Sequence, residues 1–138
     1  MIYKLTHPER AGALFAQAQD TMILSCLQNV MGEIYADDPE NPKSAMAVLG
    51  VFCFFAGEVN AELIAYKPDT YTIPFILMSA DTSSLRAAIQ AQYGERAKKV
   101  TRYAIKKEAG IFSEQRLQQI VDTLGAEYEL NLIDEAIF

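Results

Sequence analysis

The chain has few of the residues that most often build catalytic and metal sites. Its 138 residues include two cysteines, one histidine and no tryptophan. Without a CxxC pair or a second histidine, no zinc site is expected. A Ser/His/Asp arrangement would have to use His7, and the neighbouring Pro8 near the N-terminus favours a solvated or capping histidine instead. Cys26 lies on the apolar stripe of its expected helix and Cys53 within the most apolar strand, and neither has a basic residue nearby, so both are expected to be buried structural thiols.

Glycines are spread thinly along the chain. There are seven of them, and no two stand within the few residues that a phosphate-binding loop requires. Both the P-loop and the dinucleotide-binding fingerprint depend on closely spaced glycines, because the backbone must approach the phosphates. The sequence therefore excludes both of these nucleotide-binding motifs.

A membrane-spanning run is also missing. The longest apolar stretch, from Ala45 to Ala56, has about a dozen residues, whereas a spanning helix needs roughly 20. The first eight residues lack the basic and apolar regions of a signal peptide. We therefore expect a cytoplasmic protein with no membrane partner, in which this stretch forms one strand covered on both faces.

Negative charge predominates, with a formal net charge of −6. An acidic balance favours solubility and argues against nucleic acid as a partner. Half of the 12 basic residues nevertheless fall between Arg96 and Lys107. A strand is expected at 98–107, with Tyr103 and Ile105 facing the core. In one interpretation its outer face, with Arg102 and Lys106, contacts an anion; in the other it is a solvated face paired with the domain's own carboxylates.

The order of elements predicts one α+β domain over 1–138. A mixed, mostly antiparallel sheet flanked by helices is expected, because strand and helix patterns follow one another at short spacing. Capping residues mark the helix starts: a capping box of Thr6 and Glu9, then Asp20, Asp81 or Ser83, and Ser113. The expected strands are 2–5, 33–36, 45–56, 72–78, 98–107 and 128–133.

The most distinctive local segment runs from Asp37 to Lys43 and combines two prolines with three acidic residues. Prolines at 39 and 42 exclude regular structure, so we expect a rigid loop. The spacing of Asp37, Asp38 and Glu40 does not match a calcium loop, and no metal site is predicted. Two interpretations remain: a turn that pins two strands, or a contact to substrate or to another domain.

This same segment carries a resemblance to a known family. The stretch from Gly32 to Ala45, with its D-D-P-x-N-P-x-S-A turn, is followed by Phe54-Phe55-Ala56-Gly57, and together they resemble a GNAT-related acetyltransferase family found in bacteria. The end of the chain, from Leu117 to Glu135, is similar to the segment that leads into the catalytic half of that family. The resemblance covers essentially the whole chain, although only the turn is moderately specific.

The resemblance implies a two-part acetyltransferase. Its C-terminal half would bind acetyl-CoA through a Q/R-x-x-G-x-G/A turn at a helix N-terminus, where backbone amides meet the pyrophosphate. The chain stops at Phe138, where that half should begin. The stretch Ser79–Ser84 precedes a helix but has no glycine, and Asp81 within it would repel phosphate. We therefore expect no cofactor-binding and no catalytic residue here. The fold is either a degenerate GNAT-like fold or a mixed α+β domain whose likeness to the GNAT topology is coincidental.

The resulting hypothesis is an N-terminal accessory or substrate-side domain of a GNAT-type N-acetyltransferase. Its partner would be the C-terminal GNAT domain or another copy of the chain. Contacts to that partner or to substrate are assigned to the acidic loop, namely Asp37, Asp38, Asn41 and Lys43. The alternative is a free-standing module for binding a ligand or protein, with the surface around Arg102 and Lys106. A complete small enzyme is the least favoured, because no nucleophile, base or cofactor loop is visible.

Overall fold

The computed structural model describes residues 1–69, 71–103 and 108–131. The chain divides into two compact units, Met1–Lys99 and Val100–Phe138. Each unit is described by itself below. The expectation of one domain over 1–138 stays a prediction.

The first unit is built on a five-stranded sheet with the order β1-β2-β3-β4-β5. Neighbouring strands are antiparallel except β4 and β5, which are parallel. Short helices flank the sheet, so the predicted α+β class with a mixed, mostly antiparallel sheet is confirmed. The strands are β1 (Tyr3–Lys4), β2 (Glu33–Ala36), β3 (Ser44–Leu49), β4 (Phe52–Gly57) and β5 (Leu77–Ala80).

Two layers of helix cover the two faces of this sheet. Successive residues of a strand point to opposite faces, and the buried residues separate accordingly into two clusters. One face packs against a 3-10 helix (Pro8–Ala11) and α1 (Thr21–Leu27), the other against α2 (Ala61–Ala65) and α3 (Ser83–Tyr93). The first face carries Ile34, Ala36, Ala45, Ala47, Phe54 and Ala56, and the second Tyr35, Met46, Val48, Cys53 and Phe55.

The apolar run at 45–56 is two strands and not one. β3 and β4 pair from Ser44↔Gly57 to Leu49↔Phe52, which leaves two residues in the turn. Gly50, the first of them, has φ +57°. Two-residue hairpins need a positive φ at this position, and glycine adopts it without steric cost. The prediction of a single strand was wrong, because Gly50 reverses the chain direction and divides the apolar run into two paired strands.

The other strand predictions also need correction. β5 begins only at Leu77, because Pro74 lacks the amide that a ladder requires. No strand is formed by the described residues 98–103 or 128–131. Residues 104–107, 132 and 133 lie outside the described residues.

The predicted helix caps were right at Asp20 and Ser113, whose side chains accept hydrogen bonds from the amides of Met22 and Arg116. Asn60 caps α2 by accepting a hydrogen bond from the Leu63 amide. The start of α3 is capped by Thr82 rather than by Asp81 or Ser83. The capping box at the N-terminus was wrong: the first helix is a single 3-10 turn whose N-cap residue is His7, and the His7 side chain forms no capping hydrogen bond.

In the second unit the described regular element is α4 (Glu114–Val121). Its apolar side chains recur at helical spacing, at Leu117, Ile120 and Val121. Among the described residues, no helix is long and apolar enough to cross a membrane.

The β3–β4 hairpin offers a matched test of its two glycines. Gly57 has φ +89°, and an added Cβ would lie 2.1 Å from the Lys43 carbonyl oxygen, whereas Gly50 has open space around it. We expect Gly50→Ala to lower the free energy of unfolding by about 1–2 kcal/mol, the cost of a left-handed alanine. Gly57→Ala should cost about 3 kcal/mol or more, because a main-chain clash is added. Urea unfolding measures both, and equal losses would contradict this account of Gly57.

Candidate functional site

The parallel strands β4 and β5 create an opening at one edge of the sheet. Their pairing runs from Phe52↔Leu77 to Phe55↔Ala80, while β4 continues to Gly57. The last two residues of β4 therefore have no partner on the β5 side. The carboxyl ends of parallel strands meet at one edge, and in open sheets with parallel strands ligands bind there. This edge is the candidate functional site.

An open cleft of about 230 Å³ lies at this edge. Its apolar part comes from β4 and from the segment between the 3-10 helix and α1. Its polar part consists of two amides, one hydroxyl and two carboxylates. The lining residues are Leu14, Phe15, Gln17, Ala18, Gln19, Asp20, Ile23, Phe54, Phe55, Ala56, Ser79, Ala80 and Asp81.

The charge of this cleft is negative. Asp20 uses one carboxylate oxygen to accept the Met22 amide at 3.0 Å. The Asp81 side chain is exposed and has no hydrogen bond within the described part of the chain. Arg86 lies nearby, but its guanidinium donates to the carbonyl oxygens of Ala80 (2.7 Å) and Asp81 (3.3 Å). The lining residues thus offer carboxylate and amide oxygens and no cation, a set suited to an ammonium group.

Two strand-to-helix turns border the same edge, the place where a pyrophosphate site would lie. The turn from β4 into α2 has one glycine, Gly57. The carbonyl oxygen of Lys43 lies so close to it that no side chain fits there. The amide of Glu58 donates to the Lys43 carbonyl oxygen at 2.8 Å, and that of Leu63 to Asn60. In the Q/R-x-x-G-x-G/A pattern, Phe54 and Val59 occupy the positions of the polar residue and the second glycine. These amides and side chains do not fit a pyrophosphate.

The turn from β5 into α3 fits no better. Residues 79–84 contain no glycine, and the Leu85 amide is occupied by the Thr82 hydroxyl at 3.2 Å. Asp81 places a carboxylate directly before the helix, where it would repel phosphate. Neither turn of this sheet therefore fits the pyrophosphate of acetyl-CoA.

The acidic loop is a turn held by its own backbone. Asp37 accepts hydrogen bonds from the amides of Lys43 (3.0 Å) and Ser44 (3.1 Å). Asp38 accepts from the amides of Asn41 and Glu40, each at 2.8 Å. Those two bonds, chiefly the one from Asn41, lower the pKa of Asp38. Asp37 thus joins the end of β2 to the start of β3, as the strand-pinning interpretation predicts, whereas the bonds of Asp38 lie within the loop.

The residues predicted as contacts do not line the cleft. Asp37, Asp38, Asn41 and Lys43 lie on the acidic loop, and the side chains of Asn41 and Lys43 are exposed. Arg102 is exposed and lies outside any strand, and Lys106 lies outside the described residues. Their roles as contacts stay predictions.

From the sequence, Asp20 and Asp81 were interpreted as helix caps, and Asp81 also as a carboxylate that would repel phosphate, but neither was assigned to a ligand site. The signal that could have indicated a site was positional. Asp81 directly follows a strand that is parallel to its neighbour, and polar residues in that position often face a ligand.

The cysteines agree with the prediction of buried thiols. Cys26 and Cys53 are free and buried. Burial raises the pKa of both thiols, so the reactive thiolate is disfavoured. Cys26 donates a weak hydrogen bond to the Val48 carbonyl oxygen at 3.6 Å.

Comparison with known proteins identifies the family. The profile of the GNAT acetyltransferase family matches residues 12–138. The chain belongs to this family. A crystal structure of a GCN5-related N-acetyltransferase-like protein from Streptococcus suis 89/1591 is similar to this GNAT chain, with 31% identity and a TM-score of 0.71. The match covers 95% of this chain and 52% of that one, so this chain spans about half the length of the Streptococcus protein. No curated protein matches it.

The lowered pKa of Asp38 predicts that the free energy of unfolding depends on pH. A carboxyl whose pKa is lowered by folding stabilises the protein above its unfolded pKa, and this stability is lost as the pH falls through the folded pKa. Asp38→Asn keeps an acceptor oxygen but removes the charge. We expect it to lower the free energy of unfolding at pH 7, and the difference from the parent protein to shrink as the pH approaches 3.

The control for that measurement is Asp69→Asn, which removes the same charge from an exposed aspartate. It should leave the pH profile of unfolding unchanged. A difference for Asp38→Asn that persists at low pH would show that the amide hydrogen bonds do not depend on the charge.

Proposed function

We propose that this GNAT domain is the substrate-side, accessory part of an N-acetyltransferase and receives the amine acceptor in the cleft at the ends of β4 and β5. The observation that carries the proposal is the composition of the cleft. It offers two carboxylates and two amides around an apolar floor and has no cation among its lining residues. Protonated amines are attracted by such a set, whereas phosphates are repelled.

The proposal assigns acetyl-CoA to another domain of the whole enzyme. Both helix starts at this edge have carboxylates, Glu58 and Glu62 near α2 and Asp81 before α3. Neither has the paired glycines that allow the backbone to approach a pyrophosphate. The Streptococcus relative is nearly twice as long as the matched part, which supports a further domain that holds the cofactor. That domain, or a second copy of this one, is the proposed partner.

The free-standing binding module is not favoured, because the family match extends over residues 12–138. Within the proposal, the residues of the acidic loop keep a secondary role as contacts to the partner domain. Their main-chain and carboxylate groups are used within the turn, so the exposed side chains of Asn41 and Lys43 are the ones available for such contacts.

The assignment of acetyl-CoA can be tested by calorimetric titration of the 138-residue chain. We expect no binding at a ligand concentration of about 1 mM, which corresponds to less than about 4 kcal/mol of binding free energy. A dissociation constant in the micromolar range would contradict the proposal that the cofactor belongs to another domain.

The amine cleft can be tested separately with benzylamine, which is protonated at pH 7, and benzyl alcohol, a neutral molecule of similar shape. Amide NMR should show shifts at Ala56 and Ala80 with the amine only. Asp20→Asn preserves the helix cap, since asparagine caps as well as aspartate, and Asp81→Asn removes the second charge. Each should weaken amine binding about three- to tenfold, as expected for one partly exposed charge contact.

Asp69→Asn is the control and should leave amine binding unchanged, because Asp69 is not among the lining residues. Equal binding of the alcohol and the amine would contradict an ammonium site. That result would leave the assignment of acetyl-CoA untouched, so the two halves of the proposal fail independently.

A further inference from the structure

A second cleft lies at the opposite end of the parallel strands. Its volume is about 260 Å³. It lies beside the first residues of β4 and β5 and beside the segments that follow α2 and α3. The lining residues are Met46, Val48, Cys53, Tyr66, Lys67, Pro68, Tyr71, Ile73, Pro74, Phe75, Ile76, Met78, Tyr93 and Arg96.

The inner part of this cleft is apolar. Met46 and Cys53 are almost fully buried, with 2% and 0% exposure, and Met78 adjoins them across the β4–β5 pair. Methionine and cysteine side chains are soft and polarisable, and methionine in particular adapts to ligands of varied shape. This floor suits an aromatic or aliphatic body.

Two of the three tyrosines that line the cleft, Tyr71 and Tyr93, use their hydroxyls in hydrogen bonds to the main chain and so present their rings. The Tyr71 hydroxyl donates to the Phe75 carbonyl oxygen at 2.7 Å, and the Tyr93 hydroxyl to the Ile64 carbonyl oxygen at 2.8 Å. Burial is the main cause that raises the pKa of both phenols, so they stay neutral donors. These bonds hold two ring walls in place, which lowers the entropic cost of binding.

All of the charge that lines this cleft is positive. The two ionic residues are Lys67 and Arg96, and no aspartate or glutamate lines it, although the chain has 18 acidic and 12 basic residues. Within the described residues neither cation forms an ion pair. Each lies near a tyrosine ring of the cleft, Lys67 Nζ at 5.9 Å from the Tyr71 centroid and Arg96 at 5.7 Å from that of Tyr93.

Cations near helix C-termini also complement the helix dipole, and this explains part of the arrangement. It does not explain why both cations share one cleft with an apolar floor and no carboxylate. We propose that this cleft binds a small amphipathic carboxylate, whose aryl or alkyl body lies on the methionine floor and whose carboxylate contacts Lys67 and Arg96. The site lies at the other end of the strands from the proposed amine cleft and does not depend on it.

The probe is 4-phenylbutanoate, compared with its neutral amide, 4-phenylbutanamide. The chain is labelled with ¹³C at the methionine methyl groups, which report directly on the cleft. Met46 and Met78 line it, whereas Met22 and Met31 do not. We expect the methyl signals of Met46 and Met78 to shift with the carboxylate, and those of Met22 and Met31 to stay in place.

Two variants test the charges. Lys67→Gln and Arg96→Gln should each raise the dissociation constant of 4-phenylbutanoate about three- to tenfold, and leave that of the amide unchanged, because only the carboxylate uses these cations. Lys99→Gln removes the same charge from an exposed lysine outside the cleft and should have little effect. Added salt should weaken binding of the carboxylate and not of the amide.

Three results would overturn the proposal. The first is equal affinity for the carboxylate and the amide, and the second is an equal loss of affinity in Lys99→Gln and in the cleft variants. The third is the absence of methyl shifts at Met46 and Met78 at millimolar probe. Thermal unfolding of each variant confirms that the fold is kept, which is expected because both substituted side chains are exposed.

Discussion

The antiparallel pairing of β3 with β4 is the constraint on which the first unit depends. Six residue pairs join these strands, and they carry buried side chains on both faces. One end is closed by Gly50, and at the other end Gly57 lies so close to Lys43 that no side chain fits. The Glu58 amide then donates to Lys43, which directs the chain out of the sheet and into α2. The positions of the two clefts depend on this hairpin, because residues of β4 line both of them.

β4 has two kinds of neighbour, and this separates the two clefts chemically. Its antiparallel partner fills one side along its whole length, whereas the parallel β5 covers only the residues up to Phe55. The carboxyl end therefore opens toward Asp81 and Asp20, and the amino end toward Lys67 and Arg96. Under the two proposals, the opposite charges at the ends of this strand pair would keep an ammonium ligand and a carboxylate ligand apart. Each end would then repel the ligand proposed for the other.

Sequence patterns predicted the class of fold and most helix starts, because capping and apolar periodicity are local signals. They failed where tertiary pairing decides. A glycine such as Gly50 within an apolar run is compatible with one buried strand or with a hairpin, and only the pairing of the strands distinguishes the two. The cleft was missed for a similar reason. Asp20 and Asp81 are 61 positions apart, and each was interpreted as a cap from its local sequence. Only the folded sheet brings them to one cleft, at the carboxyl ends of β4 and β5.

The stability of the sheet and the chemistry of the two strand-to-helix turns depend on different residues. The fold is stabilised by the alternating core of β2, β3 and β4, where residues such as Ile34 and Met46 are almost fully buried. A phosphate site requires free amides and glycines in the turns, which contribute little to that core. Acidic residues such as Glu58 and Asp81 can therefore occupy the turns without disturbing the sheet. The proposal that this sheet binds an amine and that another domain binds the cofactor is thus physically consistent, because selection on one set of residues need not act on the other.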